Sequence, residues 1–542
     1  MDHPQPLSPD LSVWLESFRA LHGRSPRMLH IGNIANNAYL NAKILNRAGL
    51  DCDVLCYDYF HIMGCPEWED SDYRGDIKSD FYPDWSGVDL RGFERPRWFA
   101  QGPLLDCMDY LTARRASSGD ADRLWDSMSS KREAACAQLR GEVQTPSRAE
   151  KLKILAGKVI RKFWKLPYIA AQRLLARRNR KIHWMMLNAF SLGRSEFVRS
   201  IKRICREFYE VFPERTDRLV PTDFVQLVHI FPRWAALFHQ YDLVVGYATD
   251  GQYPMIVGDV PYVAFEHGTI RNIPFEPTLQ GRLCALTYRL ANEAFITNCD
   301  NRLAAEKLRL PRYRFVPHPI NEDVHPTADP DGIRRSIREQ LGSEFIVFHP
   351  SRQHWSAQRN TDWDKGNDIL IEGFARFVKE VYPQAGAVFV DWGQTVSQSR
   401  ELIAKLGITD RVLWIPAQPT PRMNAYVRAS EALADQFVIG AFGSTMPRGL
   451  MVGTPNLIYL DEELHRWCMP QMPPVINVRT PEEVFAALTR LYKEQGYARQ
   501  VADAGIAWYG KYHSSRVVAD AFVSAVRDAV SSSSQEARSH AS

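Results

Sequence analysis

The sequence predicts an α/β protein made of two parallel-sheet domains that face each other across a cleft. Three observations carry this expectation. Short, doubly apolar strand runs alternate with helical stretches, the alternation occurs twice, and a Pro- and Asp-rich stretch, Pro326 to Gly332, separates the two series. At 542 residues, 45% hydrophobic and 24% charged, the chain can bury more than one core.

The first strand is Arg27-Met-Leu-His-Ile, ended by Gly32; a helix over Asn37 to Ala48 and a second strand over Asp53 to Tyr57 follow. This β-loop-α-β opening is of the nucleotide-binding, Rossmann-like type. From about Pro66 to Thr222 the strand rhythm stops and helical patterns rich in Trp and Arg take over, which reads as a helical insertion. The rhythm resumes at Asp242 to Gly246, Tyr262 to Phe265, Ala294 to Thr297 and Arg314 to Val316. Beyond the linker, strands are expected over Phe345 to Phe348, Ala387 to Val390, Val412 to Ile415, Ala432 to Ala434, Asn456 to Tyr459 and Val475 to Val478. Helices over Asp368 to Val381, Ser397 to Leu406 and Pro481 to Glu494 alternate with them.

The expected division is an N-terminal Rossmann-like domain over 1–325, with its insertion at about 66–222, and a C-terminal Rossmann-like domain over 326–512. A last helix over 513–530 could cross back to the first domain, and the polar stretch 531–542 reads as a disordered tail. In doubly wound sheets ligands sit outside the carboxyl ends of the strands, so binding residues are sought in those loops.

Composition narrows the class. Met1 to Pro26 has scattered charges and no apolar run, so neither a secretory signal nor a transit peptide is expected. No stretch approaches the roughly 18 apolar residues of a membrane span. Nine scattered cysteines without a CxxC pair or a His cluster fit reduced thiols in a cytosol better than a disulfide framework or a structural zinc. The net charge of +4 conceals a block between Arg148 and Arg206 that holds seventeen Lys or Arg against two acids.

Several motifs bear on chemistry. Phe348-His-Pro-Ser-Arg352 puts an Arg just past a strand, and Asp364-Lys365-Gly366 puts a Lys just before a helix. Two fixed cations there could hold a diphosphate and offset the charge that builds on it as a glycosidic bond breaks; a surface Arg and a helix-entry turn would give the same spacing. Gly440-Ala-Phe442-Gly443-Ser444-Thr445 precedes a helical segment, and its free amides could face phosphate or sugar hydroxyls, or simply form a tight turn. Glu266-His267-Gly268-Thr269 follows a strand, where His267 could orient an acceptor hydroxyl or serve as a satisfied structural group. Asp51-Cys-Asp53 and Asp70-Ser-Asp72 mimic a metal-binding DxD, but the first begins a strand and the second lies in a polar loop, so no metal is expected at either.

With these positions in hand, the chain from about Val244 to Tyr512 resembles the retaining glycosyltransferases of the large family 4 group, also called glycosyl transferases group 1. The resemblance runs through Phe265-Glu-His-Gly-Thr269, Val316-Pro-His-Pro319, Pro350-Ser-Arg352, Lys365-Gly366, Gly440-Ala-Phe-Gly443 and Gly453-Thr-Pro455. Ile31-Gly32-Asn33-Ile-Ala-Asn-Asn37 is similar, more weakly, to the loop after the first strand. The resemblance implies a GT-B fold and metal-independent transfer of a sugar from a nucleotide-sugar substrate to a glycan or lipid-linked acceptor, with retention and without a cofactor. It implies that Arg352 and Lys365 meet the donor diphosphate, that the Gly443, Ser444 and Thr445 amides support it, and that His267 lies near the transferred sugar. Gly32, Asn33, Glu266, Gly440, Phe442 and Arg448 join the expected donor-binding set.

The chain departs from the family at one place. The two glutamates that the family spaces eight apart align with Gly440 and Arg448. Arg448 cannot accept the hydrogen bonds of ribose hydroxyls. Three outcomes are open after that replacement: an altered donor site, a slow enzyme, or a non-catalytic scaffold or glycan-binding subunit that has lost transfer activity. The basic block from Lys151 to Arg206 mixes cations with apolar residues, as in Val159-Ile-Arg-Lys-Phe-Trp164 and Trp184-Met-Met-Leu187. It fits a peripheral helix on an anionic membrane surface or a helical insertion packed on the protein. No nucleic-acid motif accompanies it. A role in surface polysaccharide or glycolipid assembly, on the cytoplasmic side of a membrane, is the resulting expectation.

Overall fold

The apolar runs form two sheets, each parallel throughout. The computed structural model describes residues 7–142, 183–185, 187–188, 195–323, 328–359 and 363–541. Strands β1 (Arg27–Ile31), β2 (Asp51–Tyr57), β3 (Phe99–Gly102), β4 (Leu243–Tyr247), β5 (Tyr262–Phe265), β6 (Glu293–Ile296) and β7 (Tyr313–Phe315) make the first sheet, in the order β3-β2-β1-β4-β5-β6-β7. Strands β8 (Ile346–His349), β9 (Gly386–Val390), β10 (Val412–Ile415), β11 (Ala432–Ala434), β12 (Asn456–Ile458) and β13 (Ile476–Asn477) make the second, in the order β10-β9-β8-β11-β12-β13. In both, the strand order reverses beside the first strand, between β1 and β4 and between β8 and β11. Each domain is therefore a doubly wound Rossmann-like unit, and the two face each other in the GT-B manner.

The double burial of the strands explains their composition. Along β1, Leu29 and Ile31 join the core on one face and Met28 joins the core on the other; in β4, Val244 goes to the first and Leu243 and Val245 to the second. In the second sheet Val347 of β8 faces one layer while Ile346 and Phe348 face the other. Residues on both faces must be apolar because helices cover both.

The helix over Ser515–Ala541 packs on the N-terminal sheet. Val518, Phe522 and Val526 are fully buried in its core, and the Phe522 ring lies 5.0 Å from Phe295, 5.7 Å from His30 and 6.2 Å from Phe265. The chain thus ends on the domain where it began.

Three features differ from the sequence reading. Strand β3 lies inside the stretch read as a purely helical insertion; its sequence, Phe-Ala-Gln-Gly, has no apolar run, and it gains its place by pairing with β2 at the sheet edge. The Pro- and Asp-rich linker turns into a helix at Pro330, where Asp329 caps the Asp331 amide and Pro330 occupies a first-turn position that needs no N–H. The stretch from Ser531 onward, read as a tail, continues the last helix to Ala541.

Of the basic block, 148–182, 186 and 189–194 lie outside the described residues. The described helix Ser195–Val211 buries Phe197, Ile201, Ile204 and Phe208 in the core of the N-terminal domain. Its apolar stripe is therefore occupied by protein and is not offered to lipid. Among the described residues, no helix is long and apolar enough to cross a membrane.

Candidate active site

A cleft of about 430 Å³ opens between the carboxyl ends of the two sheets. Ala35 and Asn37 after β1, His267 after β5, Asn298 after β6 and His318 after β7 line one wall; Pro350 to Arg352 after β8, Trp392 after β9, Gln418 after β10 and Asp435 after β11 line the other. Both switch points thus open onto the same space, as the doubly wound topology requires.

The C-terminal wall is cationic. Arg352 is exposed at the end of β8, and Lys365 lines the same cleft. Gly366 fixes the lysine's place. Its φ of +66 is left-handed, and a Cβ there would meet Val438 Cγ2 at 2.9 Å, so only glycine allows the chain to turn between Lys365 and the helix Asn367–Glu380. The Asp364 carboxylate accepts the Gly366 amide at 2.8 Å, and the Lys365 carbonyl accepts the Phe437 amide at 2.9 Å. Lys365 Nζ donates to Gln436 Oε1, and burial lowers its pKa while Asp435 works the other way. Asp435 accepts from Ser351 Oγ at 2.7 Å and leaves its second oxygen without a partner; burial raises its pKa.

Gly443, Ser444 and Thr445 line the cleft where the helix Thr445–Val452 begins. One turn on, Arg448 also lines it and donates to Asn424 Oδ1 at 2.9 Å. Burial lowers its pKa, and the opposing influence comes chiefly from Glu69. Glu69 belongs to the short helix Pro66–Asp70 of the other domain. It is buried, its Oε2 has no hydrogen-bond partner, and burial raises its pKa against the pull of Arg448 and Thr420. A carboxylate thus stands across the cleft from the position where the family resemblance expects one and finds Arg448.

On the N-terminal wall His267 has its Nδ1 buried without a partner, and its ring meets His318 edge-on with centroids 5.2 Å apart. Burial lowers its pKa to about 4, so the imidazole is neutral near pH 7. His318 shares a 3.0 Å hydrogen bond with Asn37 Oδ1, and burial with two neighbouring histidines holds its pKa well below the usual value.

The remaining residues singled out in the sequence stand behind the walls. Asn33 donates to Asn36 Oδ1 and the Gly64 carbonyl, each at 2.9 Å, and accepts the Tyr39 amide; Gly32, at φ +86, packs against Asp250. These two shape the first loop and are not among the cleft-lining residues. Glu266 is fully buried and accepts from Asn301 at 2.7 Å and from Asn298 at 3.2 Å, so it fixes the amide of a lining residue. Gly440 packs on Tyr459 and Asp461, and Phe442 stacks on His465 at 5.6 Å in a core beneath the loop.

Both DxD-like pairs are engaged in ion pairs. Asp51 and Asp53 meet Arg115, Asp70 meets Lys43 at 2.7 Å, and Asp72 meets Arg422 at 2.6 Å. Among the described residues no group of three or more His, Cys, Asp or Glu is arranged to hold a metal ion. Glu69, His318, Asp435 and Asn298 were missed as site residues. Of these, His318 alone gave a signal, within Val316-Pro-His-Pro319 of the resemblance.

No protein-family model and no curated protein matches the chain. Among solved structures it is similar to HepE of Anabaena in complex with UDP and glucose, at 14% identity, covering 56% of this chain and 83% of that one, with a TM-score of 0.43. It is similar to a sucrose-phosphate synthase of Thermosynechococcus elongatus at 14% identity, covering 57% and 80%, with a TM-score of 0.40. A glycosyltransferase of Rickettsia africae is similar at 11% identity, covering 56% and 82%, with a TM-score of 0.41.

Proposed function

We propose that the chain is a glycosyltransferase that moves a sugar from a nucleotide-diphosphate donor to a glycan or lipid-linked acceptor, with retention and without a catalytic metal. The observation that carries this reading is the convergence of Arg352, Lys365 and the amide-bearing start of the helix Thr445–Val452 on one wall of a cleft whose other wall belongs to a separate sheet. Such a wall suits a diphosphate, and the facing wall suits an acceptor.

In this reading the bond between the sugar C1 and the diphosphate oxygen breaks while a bond from the acceptor oxygen to C1 forms. The acceptor proton passes to an oxygen of the departing diphosphate. Arg352 and Lys365 offset the negative charge that grows on that group, and the loop amides add fixed dipoles. Neutral His267 orients hydroxyls by hydrogen bonding. Arg448 can only donate, and Glu69 supplies the accepting carboxylate from the opposite wall. That Arg448 faces the cleft rather than solvent favours a remodelled donor site over a scaffold that has lost transfer. A lipid-linked acceptor in surface polysaccharide or glycolipid assembly would suit the basic composition of 151–181, ahead of the helix whose apolar stripe packs on the protein.

The test is release of nucleoside diphosphate when the purified chain is offered a panel of nucleotide sugars. Turnover of at least one donor is expected, with Arg352→Ala slowing it by roughly 10²–10³. Absence of turnover with every donor, or turnover indifferent to Arg352, would favour the scaffold reading.

A further inference from the structure

A second cavity, of about 490 Å³, lies in the N-terminal domain. The segment over residues 60–70 is the partition between it and the cleft: Phe60, Cys65 and Glu67 line the second cavity, whereas His61, Trp68 and Glu69 line the cleft. Three hydrogen-bond donors of its lining residues are buried without an acceptor, namely Trp85 Nε1, Arg132 Nη1 and Arg140 Nε. Among the residues that line it, all of them described, no buried side-chain oxygen lacks a donor. The imbalance runs one way.

The arginines around the cavity differ in how they are compensated. Glu67 takes Arg95 through both carboxylate oxygens at 2.8 Å, and Glu142 meets Arg140 at 2.8 Å. Arg132 has Glu133 at 3.4 Å, a side chain 70% exposed, while Arg132 itself is only 15% exposed. Burial and the neighbouring Arg95 charge lower the Arg132 pKa to about 10. The opposing influence comes first from Glu67, already engaged by Arg95 through both oxygens, and then from Glu133. A buried cation whose counter-charges are shared or exposed, beside two unpaired N–H groups, costs stability unless something brings oxygen to it.

We propose that this cavity is a second binding site, for a phosphate group held by Arg132, Arg140 and the Trp85 N–H. Guanidinium donors match phosphate oxygens in geometry and charge, and the indole supplies a neutral third donor. Trp125, with Arg97 4.9 Å over its ring, lines the same cavity and offers an apolar face to whatever carries the phosphate. The site lies behind the cleft wall and does not depend on the transfer reaction.

Thermal unfolding of the full chain carrying Arg352→Ala, Lys365→Ala and Arg448→Ala separates this site from the cleft, because those changes remove the three Lys and Arg side chains that line the cleft. The probes are inorganic phosphate, glycerol phosphate and vesicles containing phosphatidic acid. At a saturating concentration of a ligand that fits, Tm is expected to rise by about 1–3 °C. A response to inorganic phosphate or glycerol phosphate identifies a free ligand; a response confined to the vesicles identifies a lipid headgroup. Adding Arg132→Met should raise Tm in the absence of ligand and abolish the response. Trp85→Phe, which removes one N–H and little volume, should weaken binding several-fold. No response to any of the three probes, or a response unchanged by both Arg132→Met and Trp85→Phe, would overturn the proposal.

Discussion

His267 stands at the carboxyl end of β5 with a buried, unpartnered Nδ1, and its protonation state follows from its surroundings. Burial lowers its pKa from an ordinary 6.5 to about 4. Between those values the unfolded chain binds the proton and the folded chain does not, so this residue makes stability fall as pH drops from about 6.5 to about 4. His267→Gln, measured as Tm against pH, should flatten that part of the curve relative to the unaltered chain; identical curves would contradict the neutral assignment. Arg352 and Lys365, which line the cleft, could be singled out because their signals are local: a strand end for one, a Lys-Gly helix entry for the other. Glu69 was not. It sits in a polar run, Trp68-Glu-Asp70-Ser-Asp72, where spacing draws attention to the aspartates, and only the meeting of two domains sets it opposite Arg448.

At the scale of elements, the strands were legible almost to the residue because burial on both faces forces an unbroken apolar run. Strand β3 escaped because Phe-Ala-Gln-Gly makes no such run, and its pairing with β2 is decided by the sheet. The last helix was visible as a helix, and it packs on the sheet of the first domain, to which the sequence allowed it to return, more than two hundred residues upstream (β6 ends at Ile296). Phe522, fully buried against His30, Phe265 and Phe295, is its anchor. Phe522→Ala should cost about 3–5 kcal/mol and lower Tm accordingly. A cost within a few tenths of a kcal/mol would mean that this helix does not hold the N-terminal sheet.

For the whole molecule, the two domains are held in register by contacts around the cleft rim. Arg422 pairs with Asp72 at 2.6 Å, Tyr509 donates to Glu322 at 2.8 Å, and Trp467 donates to the Cys299 carbonyl at 2.8 Å. Two doubly wound units joined in this way put cations on one wall and a neutral histidine with a buried carboxylate on the other. That division of labour was readable in outline from the order of motifs, whereas the identity of the opposing carboxylate depended on the assembled cleft. The most direct measurement is calorimetric binding of a panel of nucleoside diphosphates to the full chain and to Lys365→Ala. At least one diphosphate should bind the unaltered chain, with affinity reduced roughly tenfold or more in the variant, corresponding to about 1.4 kcal/mol or more. Absence of binding by every diphosphate, or equal affinity for both proteins, would contradict a diphosphate site in the cleft.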